Sequence, residues 1–160
     1  MRIIAIDPGY ERLGIAIVEK TTGKEILLFS DCLKTDPKIP HEERLKIIGE
    51  GISALIKKYK PDAMTIETLF FKTNAKTAMK VSEARGVMLY EAAKNNLKLV
   101  EFSPLQIKVA VTGYGKSDKN QVTEMVKRLI EIKRPIKYDD EYDAIAVGLT
   151  FFASYRASRS

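Results

Sequence analysis

One cysteine, one histidine and no long hydrophobic run mark this 160-residue chain. With Cys32 alone there is no intrachain disulfide and no cysteine cluster for zinc. No apolar stretch approaches the roughly 20 residues that span a bilayer. The N-terminal run Ile3–Ile6 is too short for a signal-peptide core, and Asp7 interrupts it. A soluble, cytoplasmic protein with no membrane partner is the expectation, built as a single domain over 1–160. His41 lies in a polar stretch and is expected on the surface.

What is present is a globular balance, 45% hydrophobic and 30% charged, with a formal net charge of +6. A basic balance favours a polyanionic partner, because each cation that meets a phosphate releases counterions. Alone this is weak, since many basic proteins bind no nucleic acid.

Apolar runs at 2–7, 13–19 and 25–31 predict a β-meander, with Thr22-Gly23 as a hairpin turn. Leu45, Ile48, Ile52, Leu55, Ile56 and Tyr59 recur at helical steps from about residue 41, and Pro61 ends that helix. A fourth strand is read at 62–67. A long helix follows at 74–95, with Ala75, Met79, Ser82, Gly86, Tyr90 and Ala93 on one stripe. Gly86 in mid-helix predicts close backbone packing. A fifth strand covers 97–102, and Pro104 opens a short helix. The Gly113–Lys116 loop precedes a helix with apolar Val122, Met125, Val126, Leu129 and Ile130. The last helix begins near Asp140. This order implies an α/β fold whose mixed five-stranded sheet has three antiparallel strands extended by parallel ones, flanked by helices.

Asp7 and Glu67 each end a buried strand, where α/β sites collect and where a carboxylate is costly unless it lies at an edge or holds a cation. Asp140 and Asp143 share a helix face. Gathered carboxylates repel and raise one another's pKa, and hard oxygen donors select magnesium or manganese. Two such ions can activate water and stabilise the leaving oxygen of a phosphodiester. Blander readings stand beside this one: Asp7 before Pro-Gly as a turn former, Glu67 as a solvated strand end, Asp139–Glu141 as a helix cap. Lys72, Lys76 and Lys80 recur every fourth residue, a geometry for tracking phosphates or an ordinary solvated face. Phe70 and Phe71 could stack on bases or belong to the core.

Four segments then resemble the RuvC family of Holliday-junction resolvases: IDPGYERLG (6–14), IETLFFKTNAKTAMKVSEARGV (66–87), SPLQIKVAVTGYGKSDKNQV (103–122) and DDEYDAIAVGLT (139–150). The resemblance covers nearly the whole chain. It implies an RNase H-like fold and a homodimer making paired symmetric nicks at a four-way DNA junction, in recombination and repair. It also implies two Mg2+ ions, replaceable by Mn2+, held by Asp7, Glu67, Asp140 and Asp143. Lys108 and Lys119 match basic residues near the scissile phosphate, and Phe70 matches a base-stacking aromatic, with Phe71 beside it. Arg85 and Lys116 lie in the matched motifs and join Lys72, Lys76 and Lys80 as candidate DNA contacts. A branch-migration motor is an implied partner. Ser117 stands where the family often has alanine.

Three rivals remain. Ala110–Ser117 imitates a Walker A loop, but alanine replaces its first glycine and a predicted helix precedes it. A DNA- or protein-binding module without catalysis, and a nuclease of the same fold acting on RNA or other branched DNA, are the others.

Overall fold

In the computed structural model, residues 1–69 and 75–157 are described, with backbone alone for 75–76 and 155–157. Five strands form one sheet: β1 (Arg2–Asp7), β2 (Arg12–Lys20), β3 (Glu25–Lys34), β4 (Ala63–Glu67) and β5 (Lys98–Phe102). Their order is β3-β2-β1-β4-β5, with β1–β2 and β2–β3 antiparallel and β1–β4 and β4–β5 parallel. This is the expected mixed sheet. Gly23, at φ +100°, makes the β2–β3 turn in a conformation that L side chains rarely adopt. β3 runs to Lys34, beyond the predicted end at residue 31, because its ladder with β2 continues through Arg12↔Lys34.

Helices cover both faces. α1 (His41–Tyr59) and α2 (Ala75–Lys94) lie on one, and α5 (Asp139–Ala157) crosses the other with α3 (Pro104–Thr112) and α4 (Lys119–Leu129) beside it. Alternation sorts the side chains. Ile4, Ile6, Met64 and Ile66 pack toward α1 and α2, whereas Ile3, Ala5 and Ala63 pack toward α5. Ile3, Ile4, Ile6, Ile15 and Ile17 are fully buried, each contributing about 1.5–3 kcal/mol by leaving water. Two-sided burial explains why β1 reads as continuously apolar rather than alternating.

Four expectations are corrected. On α2 the inward stripe is Ala84, Met88 and Ala92, while Met79, Ser82, Gly86, Tyr90 and Ala93 face outward. A Cβ on Gly86 would meet nothing within 4 Å in this chain, so close packing there is not found within the protomer. Both stripes of this helix are apolar enough to satisfy a helical period, and only docking on α1 chooses between them. Leu129 points outward, because Val122, Val126 and Ile130 form the stripe of α4 that packs on the core. His41 is half-buried rather than a plain surface residue. Its Nδ1 lies 2.7 Å from the Tyr10 hydroxyl and its Nε2 2.5 Å from Glu83, tying the loop after β1 to α2.

Candidate active site

Strand parity places the acids. Asp7 has the parity of Ile3 and Ala5, and Glu67 that of Ala63, so both project toward the α5 side at the carboxyl ends of adjacent parallel strands. The first turn of α5 brings Asp140 and Asp143 to the same end. Its positive helix terminus favours carboxylates there. Contact between α5 and β2 requires Gly14, where a Cβ would stand 1.9 Å from the Asp140 carbonyl oxygen.

The loop after Asp7 is braced by side chains that the sequence alone did not single out. Buried Arg44 lies 3.6 Å over the Tyr10 ring, and the Thr35 hydroxyl donates to the Tyr10 carbonyl at 2.7 Å. Arg44 Nε also donates to Thr35 Oγ1 at 2.9 Å. The helical period of α1 puts position 44 on the buried stripe of Ile48, Ile52 and Ile56, but a charged side chain reads as solvent-facing, so Arg44 escapes notice.

Electrostatically the acids form one group. Burial, then the charges of Asp143, Glu67 and Asp140, hold the Asp7 carboxyl well above its ordinary value. Burial and Asp143 push Glu67 up to about 7. Asp143 is also raised, chiefly by burial. Among the described residues no hydrogen bond or ion pair reaches the Asp7 or Glu67 side chains. Asp140 meets Arg12 Nη1 at 3.6 Å and, more distantly, Cys32 Sγ at 3.9 Å.

Two lysines face these acids. Lys119 Nζ lies 2.9 Å from Asp143 and 2.6 Å from Asp139. Burial opposes the charge on Lys119, but the hydrogen bonds to the two aspartates outweigh it and raise its pKa. Asp139 is held low by the same lysine. Asp139 is thus the exposed neighbour bound to Lys119, whereas Asp140 adds to the negative charge felt by Asp7. Glu67, Lys108, Lys119 and Asp143 line one pocket of about 210 Å³, floored by Ile107, Val122 and Ala146.

The lysines ride on well-capped helices. Ser103 and Gln106 close a capping box on α3, and Asp118 and Gln121 close another on α4. Between them Gly113 takes φ +76°, and the Ser117 hydroxyl meets Thr112 Oγ1 at 2.7 Å and donates to the Tyr114 carbonyl at 2.8 Å. A serine is therefore fully used at this position. Because α3 precedes the Gly113–Lys116 loop, the strand–loop–helix order of a phosphate loop is absent there.

The remaining predicted contacts divide. Lys80 is exposed on α2, 5.5 Å from the Tyr10 ring, and Lys116 is exposed beside Gly115. Arg85 is tied to Glu101 at 2.6 Å and is largely shielded, so it braces α2 against β5. Phe70, Phe71 and Lys72 lie outside the described residues, as does the Lys76 side chain.

The donor set suits a hard dication: four carboxylates and no thiolate, since burial keeps the Cys32 thiol protonated up to about pH 11. Among the described residues, no three His, Cys, Asp or Glu side chains stand close enough together to grip one ion as placed. Lys119 engages Asp143 and Asp139 in their present positions. The fit therefore rests on donor chemistry and on mutual repulsion that calls for a counter-charge.

Sheet order, the α5 face and acids at the strand ends define an RNase H-like nuclease domain. The family model described as crossover junction endodeoxyribonuclease RuvC matches residues 3–151. The chain belongs to this family of endodeoxyribonucleases. The Thermosipho melanesiensis crossover junction endodeoxyribonuclease RuvC is 46% identical over 147 residues, covering 92% of this chain and 94% of that protein. The Halothermothrix orenii RuvC is 42% identical over 159 residues, covering 99% and 96%. Thermus thermophilus RuvC in complex with Holliday junction substrate superposes with a TM-score of 0.92 at 30% identity, covering 99% of this chain and 96% of that one. The yeast mitochondrial Holliday junction resolvase Ydc2 shares the fold, with a TM-score of 0.71 at 14% identity over 95% and 78%.

Proposed function

We propose that this chain resolves four-way DNA junctions by paired symmetric nicks, with Asp7, Glu67, Asp140 and Asp143 holding two Mg2+ ions. The observation that carries the reading is Asp7. Its side chain has no ion-pair partner among the described residues, yet it shares its surroundings with three more acids, and Lys119 offsets them only in part. Junction DNA as substrate is supported by the Thermus thermophilus complex. Bound Mg2+ supplies a Lewis acid that activates water and stabilises the leaving oxygen, and Mn2+ can substitute.

The chain's own groups do the rest. Lys108 and Lys119, on the pocket wall, draw the scissile phosphate toward the acids and offset its charge. Once DNA engages Lys119, Asp143 is released from the ion pair and becomes available as a ligand. Phe70, or Phe71 beside it, stacks on a base at the opened junction, and Lys72, Lys76, Lys80 and Lys116 contact phosphates.

A homodimer supplies the second active site. The outward stripe of α2 supports it, with Met79 66% and Tyr90 62% exposed around the bare Gly86 backbone. A second copy would bury this stripe and fulfil the close packing that Gly86 permits. A cytoplasmic setting and a branch-migration motor as partner complete the reading. Among the described residues no helix is long and apolar enough to cross a membrane.

The test is a labelled four-way junction incubated with Mg2+. Symmetric nicks at the junction, with linear duplex left intact, are expected. Cleavage confined to duplex or RNA would overturn the substrate assignment.

A further inference from the structure

Across the β2–β3 ladder Arg12 stands directly opposite Lys34. Like charges placed opposite one another destabilise a sheet by up to about 1 kcal/mol. Parity puts both on the α5 side, one step beyond Gly14 and Cys32, hence at the lip of the acidic site. Tyr138, the residue before α5, lies beneath them. Its ring centroid is 3.6 Å from Lys34 Nζ, 5.4 Å from Lys137 Nζ and 6.0 Å from the Arg12 guanidinium. Arg12, Lys34 and Lys137 are exposed. Among the described residues, Arg12 alone of the three forms an ion pair, with Asp140 at 3.6 Å.

Three cations from three segments thus gather around one aromatic ring, at a cost in mutual repulsion. The ring face recovers about 0.5–1 kcal/mol per exposed cation. A polyanion laid over the cluster would remove the rest of the repulsion. Lys108 and Lys119 lie on the β4–α3–α4 side of the acids, whereas this cluster lies on the β2–β3 side.

We infer that Arg12, Lys34 and Lys137, held on the Tyr138 ring, form a second phosphate-binding bank that grips the DNA strand beyond the scissile phosphate. The strand then crosses the acids from one basic bank to the other. This rests on the nuclease reading above and adds a binding surface to it. Arg12 also touches Asp140, so a clean test spares it and uses the two lysines.

The experiment compares Lys34→Ala/Lys137→Ala with Lys57→Ala/Lys58→Ala, a pair in the last turn of α1 at the opposite end of the sheet. Dissociation constants for a labelled four-way junction and for duplex are measured without divalent metal across a salt series. Loss of two phosphate contacts should lower the log–log salt slope by about 2 and weaken binding about 10- to 100-fold near 0.1 M salt. The α1 pair should behave as wild type. A wild-type slope and affinity in the Lys34/Lys137 variant would overturn the bank, as would an equal loss in the α1 pair. Failure of the nuclease reading shows separately, as wild-type protein that does not prefer the junction to duplex. In that outcome the slope still decides whether the bank holds DNA.

Discussion

Gly14 and Asp140 meet backbone to backbone: a Cβ at position 14 would lie 1.9 Å from the Asp140 carbonyl oxygen and 2.7 Å from its carbonyl carbon. The obstacle is main chain, which cannot rotate aside. Gly14→Ala should therefore lift the first turn of α5 off β2, moving Asp140 and Asp143 together. Overpacking of this kind costs about 1–3 kcal/mol. Thermal unfolding should show a Tm lower by about 3–10 °C, and junction cleavage should fall more than about tenfold, the scale of a misplaced catalytic group. Wild-type Tm and rate together would mean that α5 does not depend on this contact.

Glu67 makes the site sensitive to pH. Its folded pKa, about 7, lies above its ordinary 4.5, so between those values the folded state holds a proton that the unfolded chain has released. Stability from this group is fully present below about pH 4.5 and is lost as pH rises through about 7. In metal-free denaturant titrations, wild type minus Glu67→Gln should fall by on the order of 1–3 kcal/mol between about pH 5 and pH 8. A difference that stays flat would contradict the raised carboxyl. On the proposed reading, Mg2+ held by Glu67 would reverse the sign by favouring the ionised form, so Mg2+ affinity should climb over the same window.

Thr65 is fully buried, two residues before Glu67 on the same face, and its hydroxyl has no hydrogen-bond partner among the described residues. Thr65→Val removes an unsatisfied polar atom at nearly constant volume. Unfolding free energy should hold or rise by about 1 kcal/mol, with junction cleavage unchanged. A loss of 1 kcal/mol or more would reveal a partner for the hydroxyl.

Tyr90→Glu tests the outward stripe of α2. A charge at this exposed position should leave the protomer folded by circular dichroism while shifting sedimentation from dimer to monomer. Nicking should then lose its pairing. A variant that sediments as a dimer would place the second copy on another face.

Most of the architecture was legible because local patterns carried it. Continuous apolar runs marked strands covered on both sides, and helical spacing marked α1 and α4. Pro104 and Gly113 bracketed α3. The acids were legible as well, since a carboxylate ending a buried strand is anomalous. The illegible parts share one cause, dependence on a neighbour distant in sequence. Which stripe of α2 turns inward depends on α1. Whether His41 is free depends on Tyr10 and Glu83, and whether Arg85 is free depends on Glu101.

Sequence by itself thus determined the order of strands and helices and singled out the carboxylates and lysines proposed to carry the chemistry. It also placed the chain in its family, because spacing and residue type are local properties. Tertiary structure alone decided that Lys119 pairs with Asp139 and Asp143, and that Arg12, Lys34 and Lys137 gather around one aromatic ring. Each of these depends on side chains separated by tens of residues. Their distances are set by how α5 seats on the sheet, and no local pattern encodes that.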